Sequence, residues 1–387
     1  MKKSLIAIVA LCWAVVAFAQ PANQNVSGGL IFEGEPFMAI NPSNPQHIVV
    51  AWIGYVFQQP SGIKSRASFD GGQTWSTTAI LPHYRSTYKS ADPSLVFDVN
   101  GDVLACFVDY RQSPDSGGTF VVRSTDGGLS WGAMSEVIDA YEDGQKLPVD
   151  RPWLTIDRSG GAFDGNLYVT TKPAPWVPAP NRPYFMRSTD GGSTWSNWQY
   201  IDAAGYLVGN LIAAPMAVSA VTGNGTLHIL YPSYVFSQNP LPGYILATSA
   251  DGGSTFSYQE AWFSLINGND SLIKGGYQLL SDPSDPDHIA LLTPQNLLGD
   301  QDVYYVESTD GGANWAAPVR VNDDAPNSGV TQDLVWGGFD QDGDLVLTWR
   351  DRRNAGGAGY SVDSEIWGSV WWKDSASFSP NFQISDT

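Results

Sequence analysis

The strongest constraint on the fold is an eight-residue motif that recurs along the chain. It runs Ser68-Phe69-Asp70-Gly71-Gly72-Gln73-Thr74-Trp75, and versions return at Ser124 to Trp131, Ser188 to Trp195, Ser249 to Phe256 and Ser308 to Trp315. Its aspartates, Asp70, Asp126, Asp190, Asp251 and Asp310, are separated by 56, 64, 61 and 59 residues. Repetition at that interval predicts an array of supersecondary units. Within the motif, Asp and Ser can hydrogen-bond nearby backbone N–H groups, the Gly pair can take positive φ, and the terminal aromatic can pack over the turn. The octet therefore reads as a tight turn between two strands.

Between octets the pattern continues. In the second unit a short strand (Ser94 to Asp98), a turn at Asn100-Gly101, an apolar strand (Val103 to Val108) and a polar loop precede the strand entering the octet, Phe120 to Ser124. The strand leaving it runs from Trp131 to Ile138. Apolar strands matching Val103 to Val108 occur at Ile48 to Trp52, Leu167 to Thr170, Thr226 to Tyr231, Ile289 to Leu292 and Leu345 to Trp349. Strands that are apolar on both faces belong between layers, and four strands per unit make a propeller blade. The sixth unit has only a shortened octet, Lys373-Asp374-Ser375-Ala376-Ser377-Phe378. The expectation is an all-β, six-bladed β-propeller with four antiparallel strands per blade, each blade contiguous, over residues 30–387.

Ser-x-Asp-Gly-Gly-x-Thr-Trp resembles the Asp-box, or bacterial neuraminidase repeat, of the sialidase superfamily. The resemblance covers nearly the whole chain and implies the same propeller. In that family the boxes lie on the face opposite the active site. It follows that the five octet aspartates are architectural, and no chemistry is assigned to them.

The N-terminus reads Met1-Lys2-Lys3, then an apolar run from Leu5 to Phe18, ending in Ala17-Phe18-Ala19. This is the pattern of a secretory signal peptide over residues 1–19, too short for a comfortable membrane span, followed by a lead-in over 20–29. A secreted or periplasmic protein is expected, without membrane insertion after cleavage. Loss of Lys2 and Lys3 leaves 18 basic residues against 39 acidic ones, a net charge of −21. Such a surface repels nucleic acid and anionic lipid, so neither is expected as a partner. Cleavage also leaves Cys106 as the single cysteine, in an apolar strand, so no internal disulfide can form.

Blade geometry sorts the polar residues. The turn between strands one and two shares a side with the octet, whereas second-to-third and blade-to-blade loops lie opposite, on the face of the family's funnel. Asp340-Gln341-Asp342-Gly343-Asp344 then becomes a first-hairpin turn rather than a calcium loop. His47 and His288 fall on the octet side and His228 within a strand. Only His83 reaches the funnel, so no metal site and no cofactor are expected. Inner strands begin at Glu35-Pro36, Asp92-Pro93 and Asp150-Arg151-Pro152, around the axis. Glu35, Asp92 and Asp150 are candidate acid and base, with Arg151 as an anion holder. The alternative is that these carboxylates satisfy backbone groups or form ion pairs at the channel mouth. Arg85, Arg111, Arg350 and Arg352 are further candidate substrate contacts, and Trp176 a candidate sugar-stacking ring. Asp109-Tyr110-Arg111 and Arg350-Asp351-Arg352-Arg353 hold corresponding loops, where a local Asp–Arg pair is the plainer reading. Eleven of the 18 basic residues fall on this face, suiting an anionic glycan.

The resemblance further implies an Arg-Ile-Pro motif at the start of blade one, an arginine triad, an Asp acid/base and a Tyr–Glu pair. Here that segment reads Gly34-Glu35-Pro36-Phe37-Met38, without the arginine. Three readings follow: a sialidase-like glycoside hydrolase for a terminal acidic sugar, a non-catalytic carbohydrate-binding or envelope propeller, and a polysaccharide lyase using His83-Tyr84-Arg85. Converging funnel arginines would favour the first, and a channel closed by apolar side chains the second.

Overall fold

The computed structural model describes residues 23–29, 31–55, 59–111, 116–139, 149–174, 177, 180–212, 215–238, 241–263, 276–355, 359 and 362–385. They form six blades of antiparallel strands, each taken from contiguous chain, as the repeat predicts. Blade one comprises β1 (Glu33–Asn41), β2 (Asn44–Gly54), β3 (Gly62–Ser68) and β4 (Ala79–Ile80). Blade two comprises β5 (Lys89–Phe97), β6 (Val103–Tyr110), β7 (Gly117–Ser124) and β8 (Ser135–Asp139). Blade three has β9 (Val149–Ile156), β10 (Leu167–Pro173), β11 (Tyr184–Ser188) and β12 (Gln199–Tyr200). Blade four has β13 (Val218–Val221), β14 (Leu227–Ser233), β15 (Gly243–Ser249) and β16 (Ser257–Phe263). Blade five has β17 (Gln278–Ser281), β18 (Ile289–Gln295), β19 (Asp302–Ser308) and β20 (Val319–Arg320). In blade six, β21 (Asp333–Phe339), β22 (Leu345–Asp351) and β23 (Glu365–Trp372) lead to β24 (Ser377–Phe378) and β25 (Phe382–Gln383), both paired with β23. The shortened octet is the β23–β24 turn.

The core lies between blades, which is why β6, β14 and β18 are buried along nearly their whole length. The octets join the blades. Ser124 Oγ donates to Asp126 Oδ1 (2.7 Å) and accepts from Gly128 N (2.7 Å), while Asp126 also accepts from Ser130 N and Oγ. The Ser130 hydroxyl leads the hydrogen bonds that hold the Asp126 carboxyl at about 2. The turn then leans on the preceding blade. His47 Nε2 donates to Gly127 O (2.9 Å), Arg123 to Gly191 O (3.0 Å) and Arg187 to Gly252 O (2.7 Å). Gln259 does the same for Gly312 O. A Cβ on Gly128 (φ 94°) would lie 2.8 Å from Val49 Cγ2 in blade one, so that position requires glycine for space as well as for φ.

The junction of blades six and one differs. Met38 and Ile40 on β1, Val346 on β22 and Ile366 on β23 remain 41–48% exposed along it. Gln341 Nε2 crosses to Pro42 O (3.2 Å) at the octet rim, and Phe37 meets Trp336 at the axis. On the blade-one side the lead-in lies against the strands: Trp75 Nε1 donates to Gln24 Oε1, and Glu33 accepts from both Trp52 Nε1 and Lys64 Nζ. The sequence leaves open whether Leu30 to Phe32 adds a closing strand. Leu30 lies outside the described residues, and Phe32 contributes one bond, from Tyr55 N (3.1 Å).

Candidate functional site

Inner strands of four blades share a distortion at their funnel ends. Glu35, Asp92, Arg151 and Leu334 have φ of 49°, 54°, 46° and 52°, a region that non-glycine residues rarely adopt. Each interrupts the ladder between the first and second strands of its blade, between Gly34 and Phe37, Ala91 and Ser94, Asp150 and Trp153, and Asp333 and Trp336. A bulge re-aims the side chain it carries, and backbone strain concentrates where surrounding structure over-determines it. Three of these four residues precede a proline, which narrows their conformational choice further.

The bulges bring side chains from blades one, two and three together. Arg151 N donates to Asp92 Oδ2 (3.3 Å), and Arg151 Nη2 lies 3.8 Å from Glu35 Oε1. Asp150 and Glu35 are the neighbouring carboxyls that act on Asp92. Register supplies the cation: Lys172 on β10 is opposite Asp150 on β9, and its buried ammonium donates to Asp150 Oδ2. Thr171 Oγ1 donates to Asp150 O (2.8 Å). Burial, the hydrogen bond to Asp150 and the charges of Asp150 and Glu35 push the Asp92 carboxyl well above the usual carboxylate range. Burial acts the same way on Asp150, but the Asp92 hydrogen bond and the Lys172 ammonium outweigh it and hold Asp150 low. The two carboxyls are thus pushed in opposite directions, Asp92 up and Asp150 down. Burial and the neighbouring Asp92, Asp150 and Glu35 also raise the Tyr110 phenol, which stays protonated.

Beneath the carboxylates three aromatic rings meet. Phe37, Trp153 and Trp336 each follow a bulge by two residues, and their ring centroids are 5.1–5.7 Å apart. Glu35 and Arg151, two residues nearer the mouth, keep side-chain exposures of 48% and 50%. Three aromatic rings from blades one, three and six therefore underlie two half-exposed charged side chains.

The remaining candidates are placed differently. Arg350 grips Asp333 through Nε and Nη2 (2.6 and 2.7 Å), and Arg352 is buried, donating to Gly359 O, Thr331 O and Asp333 Oδ2. Arg353 pairs with Asp351 and Asp323 and lies 4.0 Å over the Trp367 ring. The local Asp–Arg pairing foreseen for this loop is what holds it. Asp109 is likewise a buried anchor, accepting from Tyr84 N and Ser90 Oγ and meeting His83 Nδ1 at 2.9 Å. Arg85 rests over Tyr84 and Tyr88, and exposed Arg111 donates its N–H to Ser116 O. Trp176 lies outside the described residues, as do Lys146 and Lys274. Sequence reasoning did not single out Lys172 or Tyr110, and it missed the aromatic floor. The signal was an aromatic two residues after a bulge in blades one, three and six.

No protein-family model matches the sequence, and no curated protein matches it. Solved structures do. An alpha-L-arabinofuranosidase from Fusarium graminearum superposes with a TM-score of 0.56 at 16% identity, covering 89% of this chain and 94% of that one. An ulvan lyase gives 0.54 at 12% identity, covering 86% and 78%. A Hadza microbial sialidase gives 0.51 at 14%, covering 85% and 67%. At these identities the likeness is one of fold: the chain has the sialidase-like six-bladed propeller.

Proposed function

We propose that this protein is an exported glycan-processing enzyme that hydrolyses a glycosidic bond at the Glu35–Asp92–Asp150 centre. The observation that carries the reading is the convergence of three carboxyls, with Arg151 N on Asp92, the Arg151 guanidinium beside Glu35 and the Lys172 ammonium on Asp150, surroundings that push Asp92 up and Asp150 down as an acid and a base require. Asp92 gives its proton to the glycosidic oxygen as the C–O bond breaks. A water adds to the anomeric carbon, and its proton passes to a carboxylate of the centre, Asp150 or exposed Glu35. Arg151 steadies Glu35 and Asp92, and Lys172 keeps Asp150 charged. Three structural neighbours are named for activities on glycans, which supports a glycan partner. The apolar leader supports export to a secreted or periplasmic location.

The test is incubation of the chain from Gln20 onward with a glycan panel, read by mass spectrometry. Products carrying one added water, abolished in a folded Asp92→Asn protein, are expected. Unsaturated products would instead identify a lyase. The aromatic floor favours a second reading, a non-catalytic carbohydrate-binding propeller, for which binding without any turnover is the signature.

A further inference from the structure

We infer that this centre takes an uncharged sugar unit, packed against the Phe37–Trp153–Trp336 floor, rather than a uronic, sialic or sulfated one. The inference rests on the glycan-processing reading and narrows its substrate class. It reverses the expectation drawn from the basic residues of this face.

The charges at the mouth carry it. Three carboxyls, Glu35, Asp92 and Asp150, converge there, and the two cations that contact them, Lys172 and Arg151, each face a carboxylate. Lys172 is 2% exposed and bonded to Asp150, so no ligand reaches it without displacing that carboxylate. Arg151 lies between Glu35 and Asp92. Recognition of a sugar carboxylate or sulfate wants a guanidinium fork presented to solvent. The blade-six forks are engaged: Arg350 is bidentate on Asp333, and Arg352 is 1% exposed. Arg182, on the same face, is bonded to Asp202. Among the described residues that meet at this mouth, an anionic sugar faces three carboxyls against one half-exposed guanidinium, Arg151, which already lies beside Glu35.

The floor supplies what a neutral sugar needs instead. The C–H face of a pyranose or furanose ring packs on aromatic carbon, and Trp336, 38% exposed, retains surface for it. Sugar hydroxyls then meet Glu35 and Arg151, which accept and donate at the rim.

The experiment uses matched pairs. Acidic oligosaccharides are compared with their carboxyl-reduced forms, which keep the linkage and lose the charge, alongside neutral pentose and hexose oligosaccharides. Binding is followed by calorimetry and tryptophan fluorescence, and cleavage by mass spectrometry. The expected result is that neutral members bind at least about tenfold more tightly than their acidic partners, a difference that shrinks in Glu35→Gln as repulsion is removed. Trp336→Ala should weaken neutral binding about tenfold. Preference for the acidic member, or no binding of any neutral glycan, overturns the inference. Hydrolysis of acidic members alone would sink it while sustaining the hydrolase reading. Neutral binding without turnover would sustain it while sinking the hydrolase.

Discussion

Lys172→Met tests whether one buried cation sets the charge of the centre. Methionine keeps much of the apolar stem and removes the ammonium that meets Asp150. Removing one partner of a buried ion pair costs about 3–5 kcal/mol when the abandoned charge is sealed from water. Asp150 is 20% exposed and can take up a proton, so the loss at neutral pH should fall at or just below that range, about 2–3 kcal/mol. The sign with pH follows from the direction of the shift. In the wild type the folded Asp150 carboxyl is depressed. Its contribution is therefore present above the unfolded value of about 3.9 and lost as pH falls through the folded one. Without Lys172, burial raises Asp150, and its contribution is lost as pH rises instead. The variant should consequently be most destabilised near neutrality and approach the wild type towards about pH 4. Urea denaturation at several pH values measures this directly. A stability deficit that is flat across that interval, or absent, would refute the assignment of Lys172 as the group that keeps Asp150 charged.

Asp92→Asn should raise stability near neutral pH while abolishing turnover, because the raised folded Asp92 carboxyl contributes fully below its unfolded value and loses that contribution as pH rises. Thermal melts paired with product analysis check both halves. Leu334→Gly, at φ 52°, should be nearly neutral, since relief of strain offsets the added freedom of the unfolded chain. Val346→Gly in the regular part of β22 should cost about 1 kcal/mol by the same denaturation assay. Gly128→Ala should cost more than about 2 kcal/mol, because it combines a positive φ with the approach to Val49, whereas Gly160→Ala meets nothing within 4 Å and should cost only the φ strain. His288, buried between Asp282 and Glu307, is raised on balance: burial works to lower it, and the two carboxylates outweigh that. Its contribution is present below about 6.5 and lost as pH rises through the folded value, so His288→Gln should flatten stability above neutrality.

The fold was legible because its cause is local and repeated. Each octet writes its own turn, and the apolar strands declare burial on both faces, so blade number and order follow without long-range information. The mouth was legible in part. Glu35, Asp92, Asp150 and Arg151 could be placed around the axis from their position at strand starts, but their pairing depends on bulges that no single residue announces. Ala91 pairs with Val108 and Ser94 with Cys106, and only that slip turns Asp92 out of the ladder. The arginines were harder to read for a different reason. A count of basic residues on one face takes no account of the carboxylates opposite them, and Asp333 and Asp202 absorb charges that the sequence displays as available.

The aromatic floor also bears on how the ring is held. Octets of blades two to five reach back to the preceding blade through His47, Arg123, Arg187 and Gln259. The octet of blade one faces the lead-in instead, with Trp75 bonded to Gln24. The sixth junction therefore lacks the device that joins those blades, and apolar side chains stay exposed along it. At the axis, however, Trp336 of blade six packs on Phe37 of blade one and on Trp153 of blade three. These contacts span the junction of blades six and one and build the floor beneath the carboxylates at the same time. Ring closure and the platform proposed for a sugar are thus parts of one contact, and a change that loosens the seam should be felt at Asp92 even though the seam lies outside the charge network.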